Sequence, residues 1–285
     1  MSGSIGAILL LVPCLGVVLS GGCGGEALPA TAGDTRIVGG PGLEPGRLGR
    51  PRALAVDASG RVYTVDRTGR VQLFSSEGEL LRLWRMPEVD QGQPVGLAIA
   101  PDGDLLVSDT HYQRIFRYDT EAILGAAKLE VRHDDILVRS PGARIGGFLG
   151  EGPGEFTWVR DVVVDSSGAI YAGDSGGAKD RIQKFSPEGK LLLVFGKRGD
   201  QPGELDLPGG MAIERRGEEE FLLVADCNNH RVQRFTLEGE LVSMWGARGE
   251  GLGEFRYPRS VAIAPDGSIW VCEWGNNRLQ RFTPE

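Results

Sequence analysis

Five times along this chain an acid is followed by a short polar turn, an arginine and a run of alternating apolar residues. The copies read TVDRTGRVQLF from Thr64, VSDTHYQRIFRY from Val107, AGDSGGAKDRIQKF from Ala172, VADCNNHRVQRF from Val224 and VCEWGNNRLQRF from Val271. Most identities change between copies, but the order does not. A repeat of this kind constrains architecture strongly, because each unit must bury its apolar faces against its neighbours.

Each copy is preceded by an apolar run that ends in turn residues: ALAVDASG at Ala53, GLAIAPDG at Gly96, DVVVDSSG at Asp161, GMAIERRG at Gly210 and SVAIAPDG at Ser260. A glycine turn such as SPEGK or TLEGE follows the arginine-led run, and a further apolar run (LLLVFG, LVSMWG) comes next. Each unit therefore reads as four short antiparallel strands joined by tight turns, mostly about 43–52 residues from one copy to the next. That is the pattern of a β-propeller blade. The 44 glycines in 285 residues fit many tight turns and no collagen-like period.

The acid ends the second strand and the arginine starts the third, so a hairpin brings the two together. The expected pairs are Asp109 with Arg114, Asp174 with Arg181, Asp226 with Arg231 and Glu273 with Arg278. The role expected of them is structural, each cross-strand pair contributing about 0.2–1 kcal/mol.

The stretch DCNNHRVQRF, with Asn229 and His230, resembles the NHL repeat; WGNNRLQRF and THYQRIFRY are looser versions. The resemblance runs from about Thr35 to the C-terminus and implies an NHL-type, all-β propeller. Such propellers are usually six-bladed, whereas five copies are found here. A linker motif recurs between units, as GGFLGEGPGE at Gly146, FGKRGDQPGE at Phe195 and WGARGEGLGE at Trp245. Its spacing also occurs at the start, in VGGPGLEPGR after the strand-like DTRI. The chain thus opens with a fourth strand and closes with a first, second and third. This favours five blades, closed by the N-terminal strand joining the C-terminal blade, with six blades as the alternative. About twenty extra residues, about 120–143, sit where other units have a short turn. A loop that long is functional or disordered in most compact folds.

The beginning of the chain has a different character. Ala7 to Leu19 is almost wholly apolar, and Ser20, Gly21, Gly22 and Cys23 follow. The length suits a signal peptide over 1–22. The small residues before Cys23 resemble the lipobox of bacterial lipoproteins, which implies lipidation of Cys23. Residues 23–34 read as a flexible tether and 35–285 as the propeller. The expected location is outside the cytoplasm, as a cell-envelope lipoprotein or a secreted or periplasmic protein. Membrane attachment is expected through the lipidated terminus only. Cys227 and Cys272 either pair in that setting or remain free thiols.

A net charge of −8 argues against a nucleic-acid partner, which needs a basic face. Phosphate-loop, zinc-protease and nucleophile-elbow motifs are absent. The three histidines, His111, His133 and His230, make no metal set by spacing. No catalytic residue and no metal or other cofactor is therefore expected. In a propeller the first strand of each blade lines the channel, and its start shares a face with the turn between strands two and three. The positions before these strands are Arg52, Val95, Arg160, Gly209 and Arg259. Arg52, Arg160 and Arg259 are expected to converge on one channel mouth, with Trp158 and Trp274 adding aromatic surface. There they either hold an anion or pair with the rim acids Asp66, Asp109, Asp174, Asp226 and Glu273. The function expected is non-catalytic: a binding or scaffold module for a protein, peptide or small anionic ligand. The alternative implied by related propellers is a metal-dependent enzyme, lactonase-like or amidating-lyase-like, using Ca²⁺ or Zn²⁺. Asp161, Asn228, Asn276 and Glu273 are candidates for a lactonase site by residue type.

Overall fold

Each acid-to-arginine turn is a hairpin between the second and third strands of a blade. The computed structural model describes residues 37–88, 90, 94–138 and 144–283. Blade 1 comprises β1 (Pro51–Val56), β2 (Val62–Asp66), β3 (Arg70–Phe74) and β4 (Leu80–Arg85), hydrogen-bonded in that order. Blade 2 is β5 (Pro94–Ile99), β6 (Leu105–Asp109), β7 (Arg114–Tyr118) and β8 (Arg144–Gly146). Blade 3 is β9 (Trp158–Val164), β10 (Ile170–Ser175), β11 (Arg181–Phe185) and β12 (Leu191–Phe195). Blade 4 is β13 (Pro208–Arg216), β14 (Glu219–Asp226), β15 (Arg231–Thr236) and β16 (Leu241–Trp245). Blade 5 contains β17 (Pro258–Ile263), β18 (Ile269–Glu273) and β19 (Arg278–Phe282). The neighbouring strands within each blade run antiparallel.

The five blades read from the sequence are thus present, arranged as a propeller. Their inner strands pack in the order β1, β5, β9, β13, β17. An apolar cluster fills each of the four interfaces between successive blades. Because side chains alternate along a strand, each blade sends one apolar set forward and one back. Tyr63 and Val65 point toward blade 2, while Leu105 and Val107 of blade 2 point back toward blade 1. All four are fully buried. Among the described residues, β17 and β1 do not pack together in this way. The strand expected to complete blade 5, DTRI, falls on residues 34–37, of which 34–36 lie outside the described residues. Ile37 is exposed, and the outer edge of β19 has no described partner.

The repeated ion pair organises the linkers. Arg181 Nε donates to Asp174 at 3.0 Å, and its remaining donors go to the carbonyls of Glu151, Gly152 and Glu155 in the linker from blade 2. Arg231 does the same with Asp226 at 2.7 Å and the carbonyls of Asp200, Gln201 and Glu204. Arg278 pairs with Glu273 at 2.7 Å and takes the carbonyls of Glu250, Gly251 and Glu254. Arg70 pairs with Asp66 at 2.9 Å and holds the N-terminal linker likewise, through Gly42, Leu43 and Arg47. Asp109 and Arg114 lie 3.3 Å apart. A glutamine two residues after the arginine completes the grip. Gln72, Gln183, Gln233 and Gln280 each accept from a linker glycine N–H and donate to a linker carbonyl. The acid also accepts from the backbone N–H where the linker enters the inner strand: Gly49, Thr157, Asp206 and Arg256.

The insert is ordered over its described part and covers a sheet edge. Helix α1 (Thr120–Gly125) is capped by the Asp119 carboxylate, and α2 (His133–Ile136) follows. Between them Glu130 lies parallel to Leu83 of β4, whose N–H and C=O bond to Leu129 and Val131 at 2.9 Å. An otherwise open edge of blade 1 is thereby paired. The Arg82 guanidinium holds the carbonyls of Ile123, Leu124 and Ala126 at the end of α1. Residues 139–143 of the insert lie outside the described residues.

One inner-strand group titrates against its surroundings. Asp161 Oδ2 on β9 accepts from Met211 N–H on β13 at 2.8 Å. Its other oxygen faces Gly96 on β5, where a Cβ would come within 2.8 Å of it. Burial pushes this carboxyl from the ordinary 3.8 up to about 7.

Two outcomes are expected from denaturant unfolding. Arg231→Ala strands a buried carboxylate and three carbonyls, so it should cost about 3–5 kcal/mol; Gln233→Leu should cost about 1–3 kcal/mol. A loss below about 1 kcal/mol for Arg231→Ala would contradict the clamp. For Asp161 the folded-state pKa lies above the unfolded one. Its contribution is therefore fully present below about pH 4 and is lost as pH rises through 7, by about 1.4 kcal/mol per pH unit. Asp161→Asn should flatten that part of the stability profile between pH 4 and 8, and an unchanged profile would contradict the assignment.

Candidate functional site

Arg160 and Arg259 lie within electrostatic reach of each other. Both lie in the opening turn of an inner strand, β9 and β17, and the blade between them carries Gly209 at the matching place. A Cβ on Gly209 would lie 2.5 Å from the Arg259 carbonyl oxygen. The missing side chain lets blade 5 close in and brings arginines from alternate blades within electrostatic reach. The Arg160 guanidinium is held below its ordinary pKa by burial, then by the Arg259 charge. Its Nε donates to Ser175 Oγ at 2.9 Å.

Each arginine lies over an indole. Arg160 sits 5.3 Å from the Trp158 ring centroid and Arg259 sits 5.9 Å from that of Trp274. The indoles are 41% and 57% exposed, respectively, so two aromatic faces border the cationic pair in contact with solvent. The Asp174 carboxylate accepts from the Thr157 and Trp158 N–H groups at 2.8 and 3.1 Å, so the repeat acid fixes the backbone that presents Trp158. Trp274 packs edge-on against Tyr257, which in turn packs on His230.

The rim acids do not neutralise this pair. Asp66, Asp109, Asp174, Asp226 and Glu273 are each taken by an arginine of their own blade, Arg70, Arg114, Arg181, Arg231 or Arg278. Among the described residues, neither Arg160 nor Arg259 makes an ion pair with a carboxylate. Asp180 is the acid whose charge reaches Arg160. It is buried and accepts from the Gly176 and Leu207 N–H groups. Cys227 lies within electrostatic reach of both arginines; burial raises its thiol pKa while the two guanidiniums pull it down. Cys227 and Cys272 are not joined in a disulfide.

Of the three arginines expected at the mouth, Arg160 and Arg259 lie within electrostatic reach of each other. Arg52 belongs to blade 1, and the Arg67 and Arg50 charges bear on it. Among the other candidates, Asn276 donates to the Gly249 carbonyl and to Glu273. Asn228 donates to Asp206. His230 Nδ1 accepts from Tyr257 N–H at 3.1 Å, and burial lowers its pKa. No three His, Cys, Asp or Glu side chains among the described residues are grouped as a metal site requires. The sequence reading missed the glutamine clamp, Ser175 and Asp180. The glutamines had a signal, the recurring R-[VIL]-Q of four repeats, whereas Ser175 and Asp180 had none.

Comparison with known proteins bears on the fold. The sequence profile of the NHL repeat matches residues 255–282. Peptidylglycine alpha-amidating monooxygenase from Rattus norvegicus is 31% identical over 141 residues, which cover 48% of this chain and 13% of that protein. Among solved structures, virginiamycin B lyase from Staphylococcus aureus superposes with a TM-score of 0.54 at 17% identity, over 81% of this chain and 69% of its own. An auxiliary nutrient binding protein from Bacteroides ovatus gives a TM-score of 0.56 at 19% identity, over 86% and 60%. With the repeated hairpins, the linker grip and the order of the blades, these likenesses identify the chain as an NHL-repeat β-propeller.

Proposed function

We propose that this propeller is a binding module that takes an anionic ligand at the channel mouth, on Arg160 and Arg259, without a cofactor or metal. One observation carries the reading: two guanidiniums within electrostatic reach of each other lack a carboxylate partner among the described residues and lie over two half-exposed indoles. Adjacent like charges in a partly desolvated site are unfavourable until an anion bridges them. Guanidinium forks suit carboxylate or phosphate oxygens, and the indoles suit a flat apolar body beside them. The ligand is therefore a small carboxylate or phosphate, or an acidic side chain of a protein or peptide. The similar proteins differ in activity, so their likeness supports the scaffold and selects no chemistry.

Titration of tryptophan emission with benzoate, citrate and inorganic phosphate tests the site. At least one anion should bind saturably. The Arg160→Ala/Arg259→Ala double variant should weaken it about 10- to 100-fold with little change in unfolding midpoint. Binding that survives the double substitution, or no response to any of the three anions, would overturn the reading. Stoichiometric Ca²⁺ or Zn²⁺ in the purified protein would move it to the metal-dependent enzyme.

We further propose that the propeller works outside the cytoplasm, tethered through a lipid on Cys23. The apolar run Ala7–Leu19 and the small residues before Cys23 support this. In a bacterial host fed labelled palmitate, the full chain should take up label in the membrane fraction, and Cys23→Ser should lose both. An unlabelled wild-type chain would sink the proposal.

A further inference from the structure

The insert is bolted to the propeller through one titratable ring. His133 opens α2, and its Nδ1 lies 2.9 Å from Tyr118 Oη on β7. The ring packs edge-on against Phe116 and Tyr118, with centroids 4.9 and 5.4 Å apart. Tyr118 is fully buried, and burial raises its phenol pKa. Its hydroxyl therefore stays protonated and donates to Nδ1, so neutral His133 carries its own hydrogen on Nε2. The imidazole is half-buried, which leaves it within reach of solvent protons.

What His133 secures is the cover over β4. Val131, two residues before it, donates to the Leu83 carbonyl, and the Leu83 N–H donates to the Leu129 carbonyl, both at 2.9 Å. Ile136, three residues after it, is buried in the apolar cluster between blades 1 and 2. The Ile136 carbonyl accepts from Asp119 N–H at 2.8 Å. Strand pairing, core contact and ring thus fall within residues 129–136. Burial lowers the His133 pKa from the ordinary 6.5; Asp134 of its own helix raises it and Arg114 of β7 lowers it again. Asp134 is exposed, 3.9 Å from Arg132. Of the other charges on the elements around the ring, Asp109 of β6 is paired with Arg114, Arg82 of β4 is held by the α1 carbonyls, and Glu121 of α1 and Asp135 of α2 are exposed.

We propose that His133 is an acid-sensitive latch: protonation of its ring releases residues 129–136 from blades 1 and 2 and bares the outer edge of β4. The proton lands on Nδ1, the atom that accepts from Tyr118. Two donors then face each other at 2.9 Å, and a cation stands in a half-buried site near the Arg114 charge. Opening returns the imidazolium to water, so the proton favours the open form. Above pH 6.5 the closed form keeps its full stability, because the ring is neutral whether open or closed. Below that, the closed form weakens by up to about tenfold per pH unit until the lowered pKa of the closed ring is reached. Blade 1 then offers a bare strand edge, a surface on which an extended chain can pair.

Amide hydrogen exchange of the full chain, corrected for the intrinsic rate at each pH, tests the latch. Leu83 and Val131 should keep their protection from pH 8 to 7 and lose about tenfold between pH 7 and 5, while Val224 in blade 4 keeps its own. His133→Asn leaves an acceptor near the place of Nδ1 and takes up no proton, so it should hold its protection through pH 5. His133→Lys, charged throughout, should be as open at pH 8 as the unaltered chain is at pH 5. The His133 ring, titrated by NMR, should show a pKa below 6.5. Four results would overturn the proposal: flat protection of Leu83 and Val131 from pH 7 to 5, a loss that persists in His133→Asn, a parallel loss at Val224, or a ring pKa at or above 6.5. Should His133→Asn be open already at pH 8, the ring pKa decides alone.

Discussion

The buried acid–arginine pair is the point from which the rest of the propeller is built. Taken alone, such a pair is a poor source of stability, because desolvation of both charges offsets their attraction. Burial raises the Asp174 and Asp226 carboxyls above their ordinary pKa, against the backbone and guanidinium donors that pull them down. What makes the arrangement favourable is the number of donors and acceptors satisfied at once. The arginine spends one edge on the acid and its other donors on three carbonyls of a glycine-rich linker. The acid uses its second oxygen on the N–H groups where that linker becomes an inner strand. A segment with few side chains to pack is thus fixed entirely through its backbone.

Blade 2 shows what happens where the grip is incomplete. Among the described residues, the segment arriving from blade 1 offers Arg114 the Pro87 carbonyl and the Glu88 carboxylate. Arg114 Nε and Asp109 Oδ1 are left without partners, and Phe116 stands where other blades have glutamine. Apolar contacts take over. The Arg114 guanidinium stacks on Tyr112 and Phe116, and Phe116 and Tyr118 pack edge-on with His133 of the insert. Tyr118 Oη lies 2.9 Å from His133 Nδ1. The insert therefore does the structural work that a regular linker does elsewhere.

The fold was legible in the sequence because its information is local and repeated. A turn, an acid and an arginine at fixed offsets specify a hairpin five times over, and alternation specifies which side chains face which neighbour. The site was only half legible. Matching positions on inner strands of alternate blades bring Arg160 and Arg259 within electrostatic reach of each other. Their closeness depends on the glycine between them at 209, a residue whose importance is what it lacks. The charges described around Arg52 are those of Arg67 and Arg50 in its own blade, a local crowding that the repeat spacing did not indicate.

The arginine and glutamine of each blade contact linker carbonyls and glycine N–H groups, with no requirement for a particular linker side chain. Recognition of this kind is indifferent to spelling. The linker side chains Lys197, Arg198 and Asp200, or Glu250 and Leu252, can drift without loosening the corner they decorate, provided the glycines that set the turn stay. The rim they form is thus a surface on which new specificities can accumulate while the architecture beneath is inherited unchanged.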